Sequence, residues 1–233
     1  LREVRAAALA DARALAGGGV DGILVENYGD APFSAGSVEP QVVSSMAVIA
    51  AEIRAATRLP LGINVLRNDA RSALAVALAS GASFIRVNVH VGAAETDQGR
   101  IEGRAAETLR YRRSLGCGIA IFADVFVKHA RPVGTDDLAA AARDTAYRGL
   151  ADALLVTGAE TGSAPDPERV RRVKGAVPDR PVFVASGLTE ENVNSFPESD
   201  GCIIGSAFER SGRAGGRVEA QRVRALLRAL KRR

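Results

Sequence analysis

Seven short apolar runs punctuate the chain, and each ends in a polar or glycine-rich tip. They are residues 22–27 (GILVEN), 60–69 (PLGINVLRND), 84–92 (FIRVNVHVG), 118–129 (GIAIFADVFVKH), 152–158 (DALLVTG), 181–187 (PVFVASG) and 200–206 (DGCIIGS). Ala/Arg-rich stretches of helical spacing lie between them. Strand-length apolar runs alternating with such stretches predict α and β elements around a parallel sheet. A first helix is expected from Arg2 to Gly17, closed by the run Gly17-Gly18-Gly19. The order is therefore helix first, then seven strand–helix units. An eightfold barrel starts on a strand, so the pattern predicts an α/β fold of the TIM (β/α)8 type with its first strand absent from this chain. An open seven-stranded sheet or barrel is the alternative. No linker or short repeat divides the sequence, which predicts one domain over residues 1–233.

Neighbouring residues of a strand point to opposite faces. In 84–90, Ile85, Val87 and Val89 make the apolar set expected under the helices, which turns Arg86, Asn88 and His90 inward. The same parity turns Glu26, Asn64, Asp124 and Thr157 inward. Five strands thus deliver polar groups to one end of the barrel axis, the carboxyl-terminal end where barrel chemistry collects. Ordinary barrel cores are filled by apolar layers, so this ring reads as a binding site. Mutual hydrogen bonding around a buried Arg86 is the structural alternative.

Within the ring, Asp124 has the best position for a general acid/base, and Glu26 is the natural second carboxylate. Two carboxylates near Arg86 can divide acid and base work. With Asn64 or His90 they also offer oxygen-rich coordination for Mg²⁺ or Mn²⁺. His90 suits proton shuttling. Lys128 is one of only three lysines among 31 basic residues and lies just beyond the fifth run, beside His129. A lysine there can form a Schiff base, act as a base or electrophile, or bind a phosphate.

Ser186-Gly187 and Gly205-Ser206 follow the last two strands, where many barrels bind phosphate through backbone N–H groups. Gly158 and Gly162 can add lining, and Thr189 reads as the N-cap of a following helix. The loops 27–34 and 92–103 are the longest insertions at the tips. They bring Tyr28, Phe33, Asp97 and Gln98 over the site, side chains suited to sugar hydroxyls and to a lid.

Composition narrows the reading. With 47% apolar and 25% charged residues the chain is an ordinary globular sequence. No apolar run approaches the ~20 residues of a membrane helix, and no signal-peptide pattern opens the sequence, so a cytoplasmic location is expected. Cys117 and Cys202 read as buried, reduced thiols without metal-ligand spacing. Residues 209–233 hold nine Arg/Lys against two Glu. That basic end reads as the solvated face of a last helix packed through Val223, Leu226, Leu227 and Leu230. No aromatic interleaving accompanies it, so nucleic acid is not an expected partner. A homo-oligomer is compatible with the sequence.

The tips also resemble the BtpA family of TIM-barrel proteins. The resemblance rests on VDGILVENYGDAPF (20–33), GINVLRNDA (62–70), FIRVNVHVGA (84–93), TDQGRIEG (96–103), LRYRRSLG (109–116), ADVFVKHA (123–130), DTAYRGLADALLVTGAETG (144–162), SGLTEENV (186–193) and DGCIIGSAF (200–208). It implies a barrel like those that bind ribulose phosphates. The family usually opens on a strand with a Met-Ile/Val-His-Leu segment and a Pro-Gly turn, which this sequence lacks. Glu209 stands where a lysine is common, and Ala214-Gly215-Gly216 replaces a more aromatic segment. The family includes a cyanobacterial protein implicated in photosystem I biogenesis and bacterial members associated with sugar-utilisation operons.

Two readings follow. The first is an enzyme acting on a phosphorylated sugar or sugar-like metabolite by isomerisation, lysis or glycosidic cleavage. Asp124, Glu26, Lys128 and His90 are its catalytic candidates. Asn64, Arg86, Asn88, Asp97, Thr157, Ser186, Gly187, Gly205 and Ser206 are its substrate-binding ones. The second is a non-catalytic assembly or stability factor.

Overall fold

The seven runs become seven short parallel strands. A computed structural model describes residues 1–212 and 214–230. In chain order the sheet strands are β1 (Ile23–Glu26), β2 (Leu61–Asn64), β3 (Phe84–Val87), β6 (Ala120–Asp124), β8 (Ala153–Val156), β9 (Val182–Val184) and β10 (Gly201–Cys202). Each pairs with the next in that order. The helices are α1 (Arg2–Gly18), α2 (Pro40–Thr57), α3 (Ala70–Ser80), α4 (Ala105–Ser114), α5 (Leu138–Arg143), α6 (Pro167–Ala176) and α7 (Ala220–Leu230). This is a TIM-barrel-like α/β fold: a curled parallel sheet with its helices outside. Among the described residues no strand joins β10 to β1, so the sheet has two edges. The helix layer nevertheless continues across them, because α1 packs on both α2 and α7. A Cβ on Gly18 would stand 2.3 Å from Val223 Cγ1, so glycine is what permits that close approach.

Strand parity follows the apolar pattern. Ile63, Ile85 and Ile121 are wholly buried and pack against the helices with Leu74, Val76 and Ala77. The opposite face begins with an aromatic floor. Phe84 stacks on Phe122 at 4.5 Å between centroids, and Phe122 on Phe183 at 5.4 Å. Gly62 and Gly201 flank this stack, and a Cβ on either would enter the ring of Phe84 or Phe183. The polar layer lies one step nearer the strand tips. The last helix buries Val223 and Leu226 as its spacing predicts, while residues 231–233 of the basic end lie outside the described residues.

The structure departs from the sequence reading in four places. The run 118–129 is not one strand: β6 ends at Asp124, and Phe126 and His129 take left-handed φ of 56° and 55° as the chain turns back. The segment 92–103 is a hairpin of β4 (Ala93–Thr96) and β5 (Gly99–Glu102), and β7 (Ala130–Val133) pairs antiparallel with β4. This small sheet has its own apolar contact of Val89, Ala94, Ile101 and Val127. Thr189 caps no α-helix; its N–H donates to Asn192 Oδ1 instead, and only a 3₁₀ turn, Val193–Ser195, follows. Cys117 and Cys202 are half-buried rather than buried.

Candidate functional site

Four strands bring a connected polar network to the barrel mouth. From β3, Arg86 donates through Nε and Nη2 to the two oxygens of Asp124 on β6, each at 3.0 Å. Its Nη1 reaches Glu26 Oε1 on β1 at 3.2 Å, and Asn64 of β2 donates to the same oxygen at 2.8 Å. Asn88 donates to Asp124 Oδ2 at 2.9 Å. The bidentate fork matches guanidinium to carboxylate and is the strong form of this contact. Burial opposes the charge of Arg86, but Asp124 and Glu26 outweigh it and hold its pKa above the ordinary value.

The two carboxylates differ in what they can do. Asp124 is wholly buried and spends both oxygens on Arg86 and Asn88. Glu26 is about a quarter exposed, and among the described residues its Oε2 accepts no hydrogen bond. Glu26 thus keeps one carboxylate oxygen open, whereas Asp124 is committed to Arg86 and Asn88. Arg86 also occupies the space between them, so Glu26, Asp124 and Asn64 do not form a cation site for Mg²⁺ or Mn²⁺. No group of three or more acidic, His or Cys side chains suited to a metal occurs among the described residues.

Lys128 stands above this network on the segment after β6. Burial lowers its pKa, and repulsion from Arg86 adds to that; Glu26 and Asp124 oppose it. Its backbone N–H donates to Thr157 Oγ1 at 3.0 Å, which explains the inward threonine at the tip of β8. Arg67, absent from the sequence reading, lies in the same place. It is 5% exposed and donates from Nη2 to the Lys128 carbonyl oxygen at 2.7 Å. Burial lowers its pKa, against the attraction of Asp124, Asp97 and Glu26. The one signal for it was an arginine in the polar tip Arg67-Asn68-Asp69 of the second apolar run.

His90 does not join the ring. The chain leaves strand geometry after Val87; Asn88 still faces inward to Asp124, but the parity is lost by His90. Its Nε2 meets the Gly149 carbonyl at 2.8 Å, beyond the π-helical turn Asp144–Arg148, and its buried Nδ1 has no partner among the described residues. Its charged neighbours are Arg112 and Asp152, not Glu26 or Asp124. A cavity of about 90 Å³ opens under the small sheet, floored by Asn88 and Asp124 and walled by Val127, Pro132 and Thr145. Asp97 sits exposed on the β4–β5 turn.

At the far tips, Ser186 Oγ donates to the Ser163 carbonyl at 3.0 Å and accepts from the Gly158 N–H at 3.4 Å. Gly187 has φ 68°, and a Cβ there would stand 2.0 Å from Ala164 N. The β8–α6 loop thus rests directly on this tip. Gly205 precedes a 3₁₀ turn, Ser206–Phe208.

A model of the BtpA family matches residues 1–232. The chain belongs to the BtpA family. It is 49% identical over 221 residues to the photosystem I biogenesis protein BtpA of Synechocystis, covering 94% of this chain and 77% of that protein. Among solved structures, thiamine phosphate pyrophosphorylase of Pyrococcus furiosus superposes with a TM-score of 0.64 at 17% identity, covering 96% and 89% of the two chains. N-(5'-phosphoribosyl)anthranilate isomerase of the same organism gives 0.60 at 16%, covering 94% and 92%. At such identities these likenesses establish the fold alone. No helix among the described residues of this BtpA-family chain is long and apolar enough to cross a membrane.

Proposed function

We propose that this BtpA-family protein is an enzyme acting on a phosphorylated sugar or sugar-like metabolite. One observation carries the reading: Glu26 keeps one carboxylate oxygen free beside a rigid Asn64–Arg86–Asp124–Asn88 frame. Glu26 is the general acid/base, and Arg86, held by Asp124, positions it. Lys128 is the cationic electrophile at the same mouth; half-burial lowers its amine pKa, so it gives up its proton more readily than an exposed lysine does. The phosphate meets the tips of β9 and β10, at Ser186-Gly187 and Gly205-Ser206, with the 158–164 loop as one wall. Isomerisation, lysis and glycosidic cleavage all use such proton transfer.

Thermal unfolding against a panel of sugar phosphates and nucleotides, with and without Mg²⁺, tests this. A ligand at 100 times its Kd adds about 2.7 kcal/mol of stability. A selective rise that disappears in Ser186→Asp supports the reading; no shift with any phosphate overturns it. The photosystem I biogenesis role for which the Synechocystis relative is named favours a second reading, a non-catalytic assembly factor. That reading expects Glu26→Gln to leave function intact.

A further inference from the structure

Arg67 is a buried cation with little to hold it. Its guanidinium offers five N–H donors, yet among the described residues it donates one hydrogen bond, to the Lys128 carbonyl oxygen. Among the described residues the ion pairs of Glu26 and Asp124 both belong to Arg86. Buried charges are ordinarily paired or bind an ion. The position is also built rather than incidental. On one side, Leu66 N–H donates to Asn27 Oδ1 at 2.7 Å, and on the other Asn68 exchanges two 2.8 Å bonds with the backbone of Val89. The Arg67 N–H itself donates to the Ser34 carbonyl. The side chain reaches from the turn after β2 to the segment after β6, within electrostatic range of Arg86 on the intervening strand β3.

Charge balance identifies the class of ion. Arg67, Arg86 and Lys128 give three positive groups at the mouth, against the two carboxylates Glu26 and Asp124. Asp97 faces Arg67 from the β4–β5 turn, but it is exposed to solvent, where its charge is screened. One monoanion therefore neutralises the cluster. The planar guanidinium fork suits a carboxylate, and the Lys128 amine supplies a point charge beside it.

We infer that Arg67, with Lys128 beside it, forms a carboxylate subsite on the β2–β6 side of the mouth, so that the substrate carries a carboxylate as well as a phosphate. The phosphate half of this statement rests on the function proposed above; the carboxylate half stands on Arg67. Glu26 then lies between two anchored ends of one small molecule.

Isothermal titration of the full chain with 3-phosphoglycerate, glycerol 3-phosphate and glycerate separates the two halves. The expected result is that 3-phosphoglycerate binds at least about tenfold tighter than glycerol 3-phosphate, a difference of about 1.4 kcal/mol. Arg67→Met removes that preference and leaves glycerol 3-phosphate unchanged. Arg67→Lys keeps part of it, and Lys128→Met reduces it independently should Arg67→Met fail to fold. Equal affinities in the wild type, or a preference that survives Arg67→Met, overturn the subsite. Glycerate binding that depends on Arg67, without any binding of glycerol 3-phosphate, upholds the subsite and overturns the phosphate reading. Phosphate binding sensitive to Ser186→Asp but indifferent to the carboxylate does the reverse. Absence of binding by all three probes overturns both.

Discussion

Arg86 and Asp124 meet edge to edge across two neighbouring strands, with Nε and Nη2 each 3.0 Å from a separate carboxylate oxygen. The register of β3 on β6 sets Arg86 opposite Phe122, so Asp124 stands one inward position higher, where the fork reaches it. Both side chains are buried. Removing one partner of a buried pair leaves the other charge uncompensated and costs about 3–5 kcal/mol. Asp124→Asn keeps one acceptor and is expected to lose about 3 kcal/mol in urea unfolding. A loss below about 1 kcal/mol, the range of an exposed pair, would show that the pair is not what stiffens the mouth.

Lys128 and Lys174 share a residue type and differ in environment. Lys174 donates to Asp200 Oδ2 at 2.8 Å and to the Arg180 carbonyl, contacts that occupy its amine. Lys128 has burial and Arg86 working against its charge. Cyanate attacks the neutral amine, so at pH 8 Lys128 is expected to carbamylate faster than Lys174, read by peptide mass spectrometry over a time course. A faster Lys174 would contradict the assigned environment. The contrast should fade in Arg86→Met, because one of the repelling charges is gone.

His90 gives a pH signature separate from the site. A carbonyl only accepts, so the contact with Gly149 fixes a proton on Nε2, and the neutral ring leaves the buried Nδ1 bare. Burial holds its pKa below the ordinary 6.5, against the smaller opposing pull of that carbonyl. As pH falls through about 6.5 the unfolded chain takes the proton first. This contribution is therefore complete above that pH and is lost progressively below it, toward the folded value. Thermal unfolding between pH 7.5 and pH 5 should decline more steeply in the wild type than in His90→Gln. Parallel curves would remove His90 as the titrating group.

The sequence made the fold legible because period-two alternation and strand length are local properties. Arg86, Asn64, Asp124 and Glu26 were placed inward by parity, and they share one network. Parity failed once the strands ended. His90 lies three residues past Val87, where no sheet bond enforces alternation, and it turned outward to Gly149. Arg67 was hidden for the same reason: it follows β2 in a turn, and its direction is set by Asn27, Asn68 and Val89 rather than by its own neighbours. The small antiparallel sheet was missed because it pairs 93–96 with 130–133, a contact no local pattern announces. Its strands bury only Ala94 and Ile101 among the described residues, too few to carry a periodic signal.

The aromatic floor offers a test of how far the mouth depends on the layer beneath it. A Cβ on Gly62 would stand 2.1 Å from Phe84 Cε2 and 2.2 Å from Cζ, too close for any carbon. The ring has little room to yield, since it stacks on Phe122, which stacks in turn on Phe183. Gly62→Ala must therefore push β2 from β3 or tilt the stack, an overpacking cost of about 1–3 kcal/mol. Asn64 and Arg86 are each two residues further along those strands, so the strain arrives at their shared contact, Glu26. Phe84→Leu shortens the obstructing ring and should restore much of the loss. In a double-mutant cycle the two changes should couple by about 0.5–3 kcal/mol. Additive effects would mean that the floor relaxes without involving β2, and the tie from Gly62 to the site would be withdrawn.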